Sequence, residues 1–127
     1  MNYISCCKIA GKVIKISSLY EEVHSLCSEY ATTEAPDFSV SISPEDVSFE
    51  REKSAREDRL EGHDIRHFSD AYLETLAVYR KIAAKLLDDD ILLFHGSAIA
   101  VDGVGYLFTA KSNRQKHPHK ALARDAW

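Results

Sequence analysis

The chain has 127 residues, of which 45% are hydrophobic and 28% charged, with 5 Gly, 3 Pro and a formal net charge of −4. That balance suits one compact soluble domain. No apolar run approaches the ~20 residues of a membrane span, and Met1-Asn2-Tyr3 lacks the basic region and apolar core of a signal peptide, so a cytoplasmic protein with no membrane partner is expected.

Charge is unevenly spread. Residues 111–127 carry five Lys/Arg against Asp125, a net +4, and the preceding 110 residues carry −8. The acidic body excludes a general polyanion binder. The tail resembles a basic arm, but its single aromatic is Trp127, so no stacking platform is interleaved with the charge and nucleic acid is not the expected partner. Cys6, Cys7 and Cys27 give neither a disulfide framework nor a zinc spacing, and buried reduced thiols are expected.

Residues 3–10 and 12–17 are short β-type runs parted by Gly11, which predicts a two-stranded start. Ser18-Leu19-Tyr20-Glu21 has capping-box spacing. Leu19, Val23, Leu26, Cys27 and Tyr30 follow at helical intervals, predicting a helix over 18–30. Residues 31–37 read as a loop. Phe38 to Ile42 alternate as a half-buried strand, which Ser43-Pro44 ends.

Between Glu50 and Glu61, nine of twelve residues are charged, with Glu52/Arg56 and Lys53/Glu57 four apart. A solvated helix or a mobile loop is expected there. His63 and His67, also four apart, would share a face on a helix, but the run around them lacks helical periodicity and no metal site is expected.

Ser69 is placed to cap the longest periodic segment, with Tyr72, Leu73, Leu76, Ala77, Tyr79, Ile82, Ala83, Leu86 and Leu87 along its buried side. Asp88-Asp89-Asp90 opposes the macrodipole at its end. Ile91-Leu92-Leu93-Phe94 then reads as a buried strand. Asp102-Gly103, between apolar runs 97–101 and 104–110, predicts a tight hairpin.

The stretch from Leu92 through His95-Gly96, the Asp102-Gly103 hairpin and Ala110-Lys111-Ser112 resembles the entry to the nucleotide site of the HPr kinase/phosphorylase and phosphoenolpyruvate carboxykinase-like superfamily. The resemblance implies a phosphate loop of the form G/A-x-x-x-x-G-K-[ST] opened by Ala110, Lys111 and Ser112, and an active-site role for His95 in orienting phosphate or a catalytic acid. It also implies ATP and Mg²⁺ as the cofactors of intact relatives.

Here the match stops, because Ser112 is followed by Asn113-Arg114-Gln115-Lys116-His117-Pro118 and the last glycine of the chain is Gly105. If those six residues are encoded AAC AGG CAA AAG CAC CCA, the frame one base on reads Thr-Gly-Lys-Ser-Thr, the missing core of the loop.

The expected organisation is a mixed α/β fold. Residues 1–68 form an N-terminal region of strands plus a helix. Residues 69–112 supply the core helix and then the first strands and hairpin of a nucleotide-binding sheet, and 113–127 an out-of-frame tail. The expected function is that of a truncated, inactive front portion of an HPr kinase-like phosphotransferase, with no cofactor of its own. The alternative is a small non-enzymatic module that forms homo-oligomers through exposed sheet edges.

Overall fold

The computed structural model describes residues 2–93 and 97–108. It is a mixed α/β protein whose contacts divide into two units, Met1–Leu92 and Leu93 onward. Among the described residues no helix is long and apolar enough to cross a membrane.

In the first unit, β1 (Tyr3–Ile9) and β2 (Lys12–Ser18) form an antiparallel hairpin. Ala10 and Gly11 both take positive φ, 52° and 77°, as a two-residue turn matched to the strand twist requires. β3 (Phe38–Ser41) joins β2 on its other side in parallel, so the sheet order is β1-β2-β3. A parallel neighbour needs a crossover, and residues 19–37 supply it.

That crossover holds less helix than its periodicity predicts. Only α1 (Glu22–Leu26) and a 3-10 turn (Ser28–Tyr30) form, and of their residues only Val23 is buried. Ser18, the expected cap, is instead the last residue of β2, and its hydroxyl donates to the Tyr20 carbonyl at 2.6 Å. Glu21 takes the cap position without a side-chain bond, so the helix starts late and ends after little more than one turn.

Side-chain alternation gives the sheet two different faces. Cys7, Ile14 and Phe38 lie in one row and Ser5, Ile16 and Val40 in the next. Cys7, Ile14, Ile16 and Val40 are buried on the side where α1 and α3 pack. The other face presents Ile4, Lys15, Ser17, Ser39 and Ser41 around a shallow open depression.

Ser43-Pro44 ends β3 and also starts a helix. Proline at the first helical position of α2 (Pro44–Leu60) gives up no needed N–H, and Ser43 and Asp46 close a reciprocal capping box. The charged run is thus helical, with Lys53 and Glu57 paired at 2.8 Å. It is not uniformly solvated, since Glu50 and Asp58 are buried against cations from outside the helix. Arg80 Nε donates to Glu50 Oε1 at 2.6 Å, and Arg66 donates to Asp58 from its guanidinium and from its backbone N–H.

The Arg66 hydrogen bonds hold the Asp58 carboxyl below its ordinary value of 3.8. A depressed carboxyl contributes stability that is complete above the unfolded value and is lost as pH falls through the folded one. Urea unfolding at pH 5 and at pH 2.5 is therefore expected to show a steeper acid loss in the native chain than in Asp58→Asn. Equal losses would mean that this pair does not carry the linkage.

α3 (Asp70–Leu87) is capped by Ser69, whose hydroxyl accepts from Tyr72 N–H, as its sequence predicts. Leu73, Glu74, Ala77, Val78, Ile82 and Leu86 are buried. Tyr72, Tyr79 and Leu87, expected on the same side, are exposed.

Helix α3 ends by local geometry. Asp90 takes φ 59°, Asp90 N–H bonds to the Leu87 carbonyl, and Ile91 N–H reaches back to Leu86 O at 2.9 Å. This is the double-bonded left-handed stop usually made with glycine. It corrects the strand expected from Ile91: residues 91–93 form none, Ile91 is tied to the helix end and Leu92 is exposed. Phe94 lies outside the described residues.

In the second unit, β4 (Ser97–Val101) and β5 (Val104–Phe108) pair antiparallel as predicted, around Asp102 and Gly103 at φ 53° and 78°. Val101 pairs with Val104 and Ser97 with Phe108, so the register closes on a two-residue turn.

Candidate functional site

The residues that carry the resemblance divide at the ends of the β4–β5 ribbon. His95 precedes it and Ala110, Lys111 and Ser112 follow it, and all four lie outside the described residues. Between them the ribbon reverses the chain tightly and holds Gly105 with no heavy atom within 4 Å of where a Cβ would stand.

The histidine pair does not form a shared face. Gly62 at φ 75° and the His63 N–H bond to Asp58 O end α2, so His63 and His67 lie in a segment that is neither helix nor strand. His63 Nε2 stands 3.6 Å from Glu61 Oε2. Among the described residues no three His, Cys, Asp or Glu side chains are grouped to hold a metal ion.

The three cysteines are free thiols, and Cys7 is buried while Cys6 and Cys27 are partly so. Burial pushes the Cys7 thiol up to about 11, reinforced by the neighbouring Cys27. Burial also raises Cys27, partly offset by its hydrogen bond with Cys7. Thiols so protonated are poor nucleophiles, which fits a packing role for Cys7 in β1 and for Cys27 beside it.

Two polar groups, the partly buried His24 and the buried Glu74, are absent from the residues singled out by sequence. His24 sits between two serines, with Nδ1 against Ser5 Oγ and Nε2 2.7 Å from Ser18 Oγ. The Ser18 proton is committed to the Tyr20 carbonyl, so Ser18 accepts from His24 Nε2–H. Ser18 is fully buried with its proton already donated away from the imidazole, which is the reverse of an activated nucleophile.

Glu74 is fully buried in α3, and its two oxygens accept the backbone N–H groups of Leu19 at 2.7 Å and Tyr20 at 3.0 Å. A carboxylate that caps the chain leaving β2 does structural work. Its sequence signal was a glutamate on the apolar arc of α3, next to Leu73.

A groove of about 480 Å³ in the first unit runs between β3 and α3 and is lined by Ser39, Ser41, Arg80, Lys81, Lys85 and Asp88. Its cations are largely committed. Lys81 donates to Ser41 O and to Asp46, both at 2.9 Å, and Arg80 is bound to Glu50. Burial pushes the Asp46 carboxyl up, but hydrogen bonds from Ser43 and Lys81 outweigh it and hold the group below the usual range. The groove braces β3, α2 and α3, and among the described residues Lys85 is its only cation outside an ion pair.

The polar groups described in the first unit are engaged in contacts within the fold. Comparison with family models, with curated proteins and with solved structures finds no match.

Proposed function

We propose that residues 69–112 are the entry to a nucleotide site of the HPr kinase/phosphorylase and phosphoenolpyruvate carboxykinase-like kind, and that this chain is an inactive front portion of such a phosphotransferase. The observation that carries the reading is the run Leu92–Ser112, where His95-Gly96 leads through a two-residue hairpin to Ala110-Lys111-Ser112. The β4–β5 ribbon supports it, because a short strand pair at this place is what the resemblance needs to deliver the chain to a phosphate loop.

In an intact relative, backbone N–H groups of that loop cradle the phosphates of Mg-ATP and catalysis is positioning plus charge neutralisation, the acceptor being a protein or small-molecule hydroxyl. His95 is the residue assigned to the phosphates. In this chain no residue after Gly105 offers a bare backbone or cheap positive φ, so the cradle cannot close.

The expected result is no ATP hydrolysis and no rise in melting temperature with millimolar Mg-ATP. A ligand at 100 times its Kd adds about 2.7 kcal/mol, so a saturable shift of several degrees would overturn the inactive reading. The gene tests the origin of residues 113–127 independently: a Gly-Lys-Ser-Thr core in the adjacent frame after codon 112 supports the family reading, and its absence sinks it.

A second reading, a non-enzymatic module that self-associates through sheet edges, is favoured by one specific observation. β5 has no strand partner but β4 among the described residues, and its Val104, Tyr106 and Leu107 are each more than half exposed. Such a ribbon is a template for another strand.

A further inference from the structure

The crossover from β2 to β3 is thinly covered. Within α1 and the 3-10 turn that follows it only Val23 is buried. Segments with few buried apolar contacts are the ones that open at least cost. This one is laced to the outer edge of β1, where Ala31 bridges to Cys7 and the Thr32 N–H donates to the Cys6 carbonyl at 3.1 Å.

Two thiols meet beside that lacing. Cys7 is 1% exposed and lies on the side of the sheet where α1 packs, and the partly exposed Cys27 ends α1. The backbone of Cys27 is fixed on both sides, its N–H bonded to Val23 O and its carbonyl accepting from Tyr30 N–H, each at 3.0 Å. The Cys7 and Cys27 side chains are hydrogen-bonded to one another, so sulfur stands against sulfur. Cys6 is turned away from this contact, because alternation along β1 puts it on the opposite face of the sheet, in register with Lys15.

We propose that Cys7 and Cys27 are a redox-modification site, which a small disulfide of the glutathione class converts to an intramolecular disulfide that staples the crossover to β1. The exchange has two steps. The Cys27 thiolate attacks the small disulfide, forming a mixed disulfide and releasing one thiol. The Cys7 thiolate then attacks the Cys27 sulfur and expels the second. Two protein thiols are oxidised, one S–S bond of the reagent is reduced, and the two protons pass to the departing thiolates.

Cys27 reacts first because Cys7 is closed to the reagent and is reached only from its neighbour. Burial keeps both thiols protonated, so the exchange is slow at neutral pH, and contact rather than thiolate character selects the bond that forms. The bond closes a loop that holds β2 and α1, which restricts the unfolded chain and ties down the thinly covered segment. It concerns the first unit alone and does not depend on the phosphotransferase reading.

The test treats the full chain with oxidised glutathione, blocks remaining thiols with N-ethylmaleimide and maps the bonded peptides by mass spectrometry. The expected product is one chain lacking two hydrogens, with Cys7 joined to Cys27 and Cys6 alkylated, and the same bond is expected in Cys6→Ser. Oxidation in denaturant, where Cys6 and Cys7 compete on equal terms, supplies the reference, over which the native fold is expected to favour Cys7 by at least about tenfold. The oxidised chain is expected to melt at least about 5 °C higher than the reduced one and to lose that gain in dithiothreitol. Glutathione left on Cys27 as a mixed disulfide, a bond to Cys6, or a midpoint that does not rise overturns the proposal, and so does a chain whose three thiols all stay free.

Discussion

Glu74→Leu is expected to cost about 2–4 kcal/mol and to lower the thermal midpoint by roughly 10 °C, although it replaces a charge by an apolar side chain inside a hydrophobic core. A ledger that scores hydrophobic for polar as a gain in the core predicts the opposite sign. The carboxylate oxygens take one backbone N–H each, from Leu19 and from Tyr20, and the residue is fully buried. Leucine leaves both donors in a low-dielectric interior without an acceptor, and the full desolvation cost of each is then felt.

Glu74→Gln separates shape from chemistry. Its amide oxygen keeps one acceptor while its NH₂ meets the other N–H donor to donor, so about half of the loss is expected. Differential scanning calorimetry of the three chains checks the order native, Gln, Leu. A Leu variant as stable as the native chain would mean that Leu19 and Tyr20 find other acceptors.

Ile16→Ala is expected to destabilise by about 3 kcal/mol, and Lys15→Ala, one residue away, by less than about 0.5 kcal/mol. Ile16 is fully buried at the middle of the central strand, between Ser5 and Val40 in register, under the helical layer. Lys15 points to the uncovered face. Paired urea titrations measure the difference directly, and similar losses at the two positions would contradict the one-sided covering of the sheet.

Local signals accounted for much of the fold. The two hairpins were legible because their turns need left-handed residues, and Ala10-Gly11 and Asp102-Gly103 place glycine at the second position of each. α3 was legible from Ser69 and eighteen residues of period 3.6. The helix expected over 18–30 failed because Ser18 belongs to a strand that is held by its pairing with Tyr3, a contact fifteen residues away that no local window contains. The strand expected from Ile91 is absent over the described residues 91–93 for a similar reason: a short apolar run does not distinguish strand from turn, and the Ile91 N–H is taken by Leu86.

The candidate site was legible only as a resemblance. His95, Ala110, Lys111 and Ser112 carry it in the sequence, while the polar groups that geometry brings together in the first unit were invisible there. Ser5, Ser18 and His24 are joined by strand pairing and a short helix, and Glu74 reaches the end of β2 across more than fifty residues. The burial of Glu50 and Asp58 was hidden because composition marks a charged helix as solvated, and only a cation brought from elsewhere in the chain makes an interior carboxylate tolerable.

The amino-acid sequence by itself determined the mixed α/β class, the two hairpin turns and the cap of α3, since each depends on backbone preferences or on neighbours a few residues apart. Tertiary structure alone decided which face of the first sheet is covered, which acids are interior, and that the side of α3 bearing Tyr72, Tyr79 and Leu87 is left open. Helical periodicity finds apolar arcs but does not count the surfaces available to cover them. α3 has two such arcs, and within the first unit the sheet, α1 and α2 cover one of them.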